Sequence, residues 1–288
     1  MTRTVLVLGA SGNFGARAVE AFSSAGWQVR RYARGTDMTE AARGAALIVN
    51  ALNPPNYHSW AKLIPEITES VLGAARSSGA AVLVPGNVYV YGDQKGPWGP
   101  DTPHLPVARK GRIRAAMEAR YREAAERGQQ VILLRGGDFV DPVSPATIWR
   151  IVTLKGVAKG NLTAMGDPEV RRAFAWLPDL ARVAVALAEH PDLPALADVP
   201  FPGHSVSLTQ IATTLERMTG RSYRIKKFPW WALKLASPVW ELGRELSEMR
   251  FLYDLDHGLD SAPLASLLPD FRPATLEQML AAHLPAKG

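Results

Sequence analysis

Gly9, Gly12 and Gly15, within Gly9-Ala10-Ser11-Gly12-Asn13-Phe14-Gly15, carry the most direct chemical signal in this chain. Glycines spaced G-x-x-G-x-x-G allow a tight turn. They also let backbone N–H groups reach an anion that then sits at the start of a helix. The anion such a turn accommodates is the pyrophosphate of a dinucleotide. An acidic residue about 20 positions on would be expected to bind an unphosphorylated adenosine ribose. Arg30-Arg31-Tyr32-Ala33-Arg34 stands there instead. A guanidinium pairs bidentately with a phosphate, so Arg31 and Arg34 point to a 2′-phosphate, and NADP(H) is favoured over NAD(H). The competing reading has Arg30 and Arg31 solvating the edge of a sheet.

The elements around the glycines suit this chemistry. Residues 5–8 form a short apolar run, as in a strand buried on both faces, and the glycine turn follows at once. A helix is expected at 16–25, strands at 27–33 and 45–52, a helix at 64–77, a strand at 80–84, a helix at 112–127 and a strand at 130–134. This alternation predicts an α/β, doubly wound parallel sheet, the Rossmann fold. Beyond Arg135 come glycine- and proline-punctuated segments, with helices expected at 148–154 and 180–189. The stretch 208–220, a strand at 223–227 and helices around 231–246 would make a smaller C-terminal substrate lobe. The expected division is a dinucleotide-binding core at 1–160, with 161–200 partly returning to it, and the lobe at 201–288.

Composition narrows the chemistry further. The chain of 288 residues is 47% hydrophobic and has no cysteine, which excludes disulfides, thiolate metal sites and cysteine nucleophiles. The histidines show no metal-ligand spacing, so no metal is expected, and no G-x-S-x-G elbow occurs. Net charge is +6, but the basic residues are spread along the chain, so neither nucleic acid nor a membrane is an expected partner. The start of the chain lacks the features of a signal peptide, and a cytoplasmic location is expected. Trp230-Trp231, Leu233, Trp240 and Leu242 form an aromatic-rich stripe suited to packing the small lobe.

Taken in order, several segments resemble the extended short-chain dehydrogenase/reductase family, also called the NAD-dependent epimerase/dehydratase family. They are the turn at 9–15, Val82-Leu83-Val84-Pro85-Gly86-Asn87 leading to Val90-Tyr91-Gly92, and Arg114-Ala115-Ala116-Met117-Glu118. Leu134-Arg135-Gly136-Gly137-Asp138-Phe139, Trp176-Leu177-Pro178-Asp179-Leu180-Ala181 and Leu268-Pro269-Asp270-Phe271-Arg272-Pro273 complete the series. The resemblance implies that Asp37 and Met38 hold the adenine, although the stretch before them is short; a helix-capping role for Asp37 is the alternative. It also assigns Ala51, Leu52 and Asn53 to the cofactor side.

The family's catalytic set is a Ser or Thr, then a Tyr four residues before a Lys, and here the pattern departs from it. Asn87 takes the Ser/Thr position. One alignment puts Lys110 at the Tyr position and Arg114 at the Lys position; the other makes Lys110 the Lys and leaves Pro106 where Tyr belongs. A lysine acts as a proton donor when neighbouring cations and burial lower its pKa; alternatively Lys110 only contacts ribose or phosphate. Tyr89 and Tyr91 are candidates for the missing phenol, and Asp138 is a further candidate. The expected activity is that of an NADP(H)-dependent oxidoreductase on a small carbonyl or carbinol, or else of a non-catalytic NADP sensor. Helices 63–77 and 112–127 resemble those that pair in family homodimers.

Overall fold

The structure, a computed structural model, describes residues 2–54, 58–236 and 246–284. Trp240 and Leu242 of the aromatic stripe, and most of the helical stretch expected up to residue 246, lie outside the described residues.

Strand β1 (Thr4–Leu8) is buried at all five positions, as the continuous Val-Leu-Val-Leu run requires when both faces are covered. It pairs in parallel with β2 (Gln28–Arg31) on one side and with β3 (Leu47–Asn50) on the other. Strands β4 (Ala81–Gly86), β5 (Val131–Arg135) and β9 (Leu196–Pro200) extend the sheet, giving six parallel strands in the order β2-β1-β3-β4-β5-β9. The chain moves outward from β1 to β2 and then crosses back to β3. The switch point of the topology therefore lies between the carboxyl ends of β1 and β3, where open α/β sheets bind ligands.

Helices α1 (Asn13–Ser24) and α5 (Leu177–Glu189) cover one face, packing Phe14, Phe22, Leu180 and Leu187 onto Val5, Val49 and Leu134. Helices α3 (Trp60–Ser78) and α4 (Arg109–Glu126) cover the other with Trp60, Ile64, Met117 and Tyr121 against Leu6, Ile48 and Val82. A one-turn helix, α2 (Met38–Ala42), is all that separates β2 from β3. This is the short stretch visible in the sequence.

The remaining strands form two smaller sheets, to which residues before 201 contribute β6, β7 and β8. Strands β10 (His204–Val206), β8 (Arg172–Trp176) and β6 (Asp138–Val140) form one small sheet, and β11 (Arg224–Lys227) pairs in parallel with β7 (Asn161–Ala164). Helix α6 (Leu208–Thr219) begins with a complete capping box from Ser207 and Gln210 and packs Ile211 and Leu215 against Trp149 and Leu162. The helix expected at 148–154 is instead a π-helical turn, Trp149–Thr153. In helix α7 (Trp230–Ala236), Trp230 packs on Phe228 and Tyr253, whereas Trp231 is 70% exposed. Among the described residues no helix is long and apolar enough to cross a membrane.

A buried ionic network ties the sheet to α4. Arg135, at the end of β5 and fully buried, donates to both oxygens of Glu118 at 3.0 and 2.9 Å and to Asp198 of β9 at 3.1 Å. Burial opposes the guanidinium charge, but the Glu118 and Asp198 carboxylates outweigh it and hold the Arg135 pKa above the usual arginine value. The same guanidinium donates to the Asn87 carbonyl at 2.9 Å, so the network also fixes the chain just past β4. The loop after that point is anchored to the C-terminal part of the chain. Trp98 forms a β-bridge with Leu259 and stacks on His257 at 4.7 Å. Burial pushes the His257 imidazole down to about 4, even though its Nδ1 bonds the Leu255 carbonyl at 2.7 Å.

Glu118→Ala leaves a buried guanidinium short of a partner and is expected to cost about 3–5 kcal/mol in urea unfolding. A neutral buried His257 stabilises the fold above its unfolded-state pKa of about 6.5 and loses that contribution as pH falls towards 4. The stability difference between the natural chain and His257→Phe should therefore shrink by up to about 3 kcal/mol between pH 7 and pH 4. Equal pH dependence in the two proteins would contradict this.

Candidate functional site

Backbone contacts shape the site at the switch point. Gly9 adopts φ +72°, and a Cβ there would lie 2.5 Å from the Ala51 carbonyl oxygen. The glycine turn is thus pressed against the segment leaving β3, which brings Gly9, Ala51 and Leu52 together. A Cβ on Gly15 would lie 2.1 Å from the Gly9 carbonyl oxygen, so the first turn of α1 sits directly on the end of β1. Gly12 N donates to Gly9 O at 2.9 Å and closes the turn. Helix α1 starts at Asn13 with Gly12 as N-cap, no side-chain cap and no acidic residue in its first turn.

Of the other cofactor candidates, Ser11 is exposed and Phe14 is buried in the core, so only the backbone of Phe14 is available to an anion. The Asn13 carboxamide accepts from Ser144 Oγ at 2.5 Å. That loop is itself held by Asp141, whose buried carboxylate takes two hydrogen bonds from Arg17 of α1, at 2.6 and 3.0 Å. Burial alone would raise the Asp141 pKa, but Arg17 and the Val143 and Ser144 amides bring it below the usual carboxylate range.

Arg31, the last residue of β2, and Arg34 are exposed, and their side chains have no hydrogen bond or ion pair among the described residues. Arg30 differs from them. Its guanidinium donates to the Ala41 and Arg43 carbonyls at 2.6 and 2.9 Å, closing the end of α2 onto the sheet edge. Asp37 caps α2 by accepting from Thr39 N and Glu40 N at 2.8 and 3.0 Å, the capping role open to it in the sequence. Met38 packs against the core face that carries Ile48 and Leu6.

The catalytic candidates gather around the first turns of α4. Asn87 Oδ1 accepts from Tyr89 N at 3.0 Å in a turn just past β4, which leaves its amide nitrogen as a donor. Tyr89 opens a 3-10 turn, Tyr89–Tyr91, whose backbone abuts α4: a Cβ on Gly111 would lie 2.4 Å from the Tyr89 carbonyl oxygen. Lys110, next to that contact, is fully buried. One turn on, Arg114 donates to Asn53 Oδ1 at 3.1 Å and lies 4.8 Å over the Trp60 ring, joining α4 to the segment after β3.

Tyr91 does not face the site. It is fully buried, its hydroxyl donates to the Gly99 carbonyl at 3.2 Å, and burial pushes its pKa up. Asp138 is ion-paired with Arg172, whose guanidinium also lies 4.3 Å over the Tyr253 ring. No group of three or more potential metal ligands occurs among the described residues.

Helix α4 begins at Arg109, three residues before the expected Arg112. The reason is Glu248, which the sequence reading missed. Its carboxylate accepts from the Arg109 amide and, at 3.3 Å, from the Lys110 amide. Nothing local announces a cap that comes from 138 residues away. Asn50 was missed as well. It ends β3, donates to Tyr121 Oη at 2.9 Å and uses its carbonyl to hold Leu52 N at 3.3 Å. Burial raises the Tyr121 phenol to about 12, so it serves as a neutral donor and acceptor here. A polar residue closing an apolar strand, Leu47-Ile48-Val49-Asn50, was the available signal.

No family model and no curated protein matches this sequence. Solved structures match it over nearly its whole length. MoeE5 in complex with UDP-glucuronic acid and NAD shares 18% identity, covers 97% of each chain and gives a TM-score of 0.74. UDP-glucuronic acid 4-epimerase from Bacillus cereus, in complex with UDP-glucuronic acid and NAD, shares 16% identity over 97% of this chain and 98% of its own, with a TM-score of 0.75. TunA, an NAD-dependent NDP-hexosamine 5,6-dehydratase, shares 17% identity over 98% and 96%, with a TM-score of 0.73. The chain therefore has the fold of the extended short-chain dehydrogenases/reductases of the epimerase/dehydratase type.

Because the Gly15 methylene faces the Gly9 carbonyl across a 2.1 Å gap to any added Cβ, Gly15→Ala must push α1 off β1. A loss of about 1–3 kcal/mol or more is expected in urea unfolding. Gly73→Ala, in the open middle of α3, should instead gain up to about 1 kcal/mol. Equal effects at the two positions would contradict the close approach.

Proposed function

We propose that this chain binds a nicotinamide dinucleotide at the turn 9–15, prefers NADP(H) to NAD(H), and acts as an oxidoreductase on a small carbonyl or carbinol substrate. The observation that carries the reading is the turn itself. A helix with no side-chain cap and no acidic first turn starts at the switch point of a parallel sheet, behind glycines packed backbone on backbone.

The residues present fit such a group. The N–H groups at the start of α1 would meet the pyrophosphate, with Ser11, Gly12 and Asn13 closest in sequence to that end. Ala51, Leu52 and Asn53 would line the other side of the crevice. Arg31 and Arg34, exposed and unpaired among the described residues, would meet a 2′-phosphate. Asp37 and Met38 would flank the adenine, although the Asp37 carboxylate is already engaged in capping α2. The solved neighbours MoeE5 and the Bacillus cereus 4-epimerase are complexes with NAD; the preference for NADP(H) proposed for this chain rests on the two arginines.

When bound, the nicotinamide supplies or accepts the hydride. The protein's part is to orient the substrate oxygen and manage its proton. The Asn87 amide nitrogen is a donor for that oxygen, because its carbonyl is committed to Tyr89 N. Lys110 is the candidate proton donor if Arg114 takes the position of the family's lysine, and contacts the cofactor ribose or phosphate if it takes that position itself. Tyr89, two residues after Asn87 and with its backbone against Gly111, is the candidate phenol. A non-catalytic NADP sensor is the second reading, favoured by the full burial of Lys110.

Calorimetric titration with NADP(H) and NAD(H), followed by NADPH oxidation over aldehydes, ketones and enones, separates these readings. Turnover supports the oxidoreductase, and tight binding without turnover supports the sensor. The double variant Arg31→Ala, Arg34→Ala is expected to weaken NADP(H) binding tenfold or more, since a charged hydrogen bond contributes about 1.5–3 kcal/mol, while leaving NAD(H) binding nearly unchanged. Equal losses for both dinucleotides would remove the assigned preference.

A further inference from the structure

The net charge of +6 is not shared evenly between the parts of the fold. Residues 142–166 and 217–236 contain nine Lys and Arg and no Asp or Glu, whereas the rest of the chain has 24 basic residues against 27 acidic ones. The two segments are far apart in sequence, so the basic residues read as dispersed and a membrane is not an expected partner. The fold sets the segments side by side.

Pairing of β11 with β7 joins them. Arg224 N donates to the Gly160 carbonyl at 2.9 Å, Phe228 N to the Ala164 carbonyl at 2.8 Å and Trp230 Nε1 to the Met165 carbonyl at 2.6 Å. Leu154, Val157, Leu162 and Tyr223 bury themselves in one apolar cluster, against which Ile225 packs. The cations are left on the outside: Lys155, Lys159, Arg221, Arg224, Lys226 and Lys227 are all exposed. Arg221 donates to the Ala158 carbonyl at 3.1 Å, and the other five have no ion pair among the described residues. Arg217 differs, being ion-paired with Glu277.

We infer that this face, built by residues 142–166 and 217–236, is a docking surface for a membrane rich in anionic phospholipid. The charge is complementary to such a membrane, and exposed apolar groups accompany it. Trp231, just beyond β11 in α7, is 70% exposed, and Ile151, on the turn 149–153, is 49% exposed. A Trp ring and an aliphatic side chain among cations suit the headgroup region of a bilayer, where the apolar groups enter the boundary and the cations meet phosphates. Stacking on the bases of a nucleic acid draws on several aromatic planes, but Trp231 is the one exposed aromatic among the described residues. Lysine on an edge strand also blocks pairing with a second sheet. That role needs a charge or two on β11, not the exclusion of every acid from both segments.

The test titrates the full chain with vesicles of phosphatidylglycerol and phosphatidylcholine in equal parts, and with vesicles of phosphatidylcholine alone, at physiological ionic strength. Co-sedimentation reads the bound fraction, and binding to the anionic vesicles alone is expected. Each Lys or Arg near such a surface contributes about fivefold in affinity, so the combined variant Arg224→Ala, Lys226→Ala, Lys227→Ala should bind about a hundredfold more weakly. Trp231→Ala should weaken binding several-fold. Lys62→Ala, Arg76→Ala, Lys95→Ala in combination removes the same charge from exposed positions elsewhere and should bind as the natural chain does. No binding to the anionic vesicles would overturn the inference, and so would equal losses in the two triple variants or unchanged binding in the first. If the natural chain ignores both vesicles and binds a DNA duplex or a single-stranded RNA through the same residues, the face belongs to nucleic acid and the inference falls. None of these readouts involves cofactor or turnover, so they stand apart from the proposed oxidoreductase activity.

Discussion

At the carboxyl end of β1 the main chain touches itself at two points, and the rest of the site takes its position from those contacts. Gly15 rests on the Gly9 carbonyl, and Gly9 rests on the Ala51 carbonyl. Neither approach leaves space for a Cβ, so helix, strand and the segment after β3 are set against each other by backbone alone. The start of α1 is then fixed at the topological switch point. Side chains finish what the backbone begins. Arg17 reaches from α1 to Asp141, and Ser144 bonds Asn13, so the loop after β6 closes beside the same turn.

A second anchor operates at the carboxyl ends of β4 and β5. Arg135 joins β5, α4 and β9 through Glu118 and Asp198, and the same guanidinium fixes the main chain at Asn87. Removing these groups from water is costly, and the hydrogen bonds of Arg135 Nη1 and Nη2 to Glu118, Asp198 and the Asn87 carbonyl offset that cost, while its buried Nε has no partner among the described residues. The arrangement sets the ends of β4 and β5 relative to the first turns of α4, and thereby relates Asn87 and Tyr89 to Lys110. Two devices, one made of glycines and one of ions, thus fix the carboxyl ends of β1 and β3 and of β4 and β5.

The sheet was legible because its signals are local. Apolar runs such as Val5-Leu6-Val7-Leu8, followed by a glycine turn and an amphipathic helix, specify strand, turn and helix without reference to the rest of the chain. The short passage through Asp37 and Met38 also showed in the sequence, and it appears as the single turn of α2 between β2 and β3. What escaped was written at long range. The start of α4 was placed late because Arg109-Lys110-Gly111 is a poor helix opening by propensity, and its cap comes from Glu248. Arg30, Arg31 and Arg34 looked alike as sequence, yet only Arg30 finds backbone carbonyls to bind. Asn50 could be read as the end of a strand but not as the partner of Tyr121, since that contact depends on how α4 packs.

The central claim is that the turn 9–15 is where a nicotinamide dinucleotide binds. Hydrogen–deuterium exchange, followed by mass spectrometry with and without saturating NADPH, addresses it at the backbone amides themselves. The account predicts slowed exchange in peptides spanning residues 8–16, with a weaker effect in those covering 31–38 and 50–54. Unchanged exchange at 8–16, with protection elsewhere or nowhere, would contradict it.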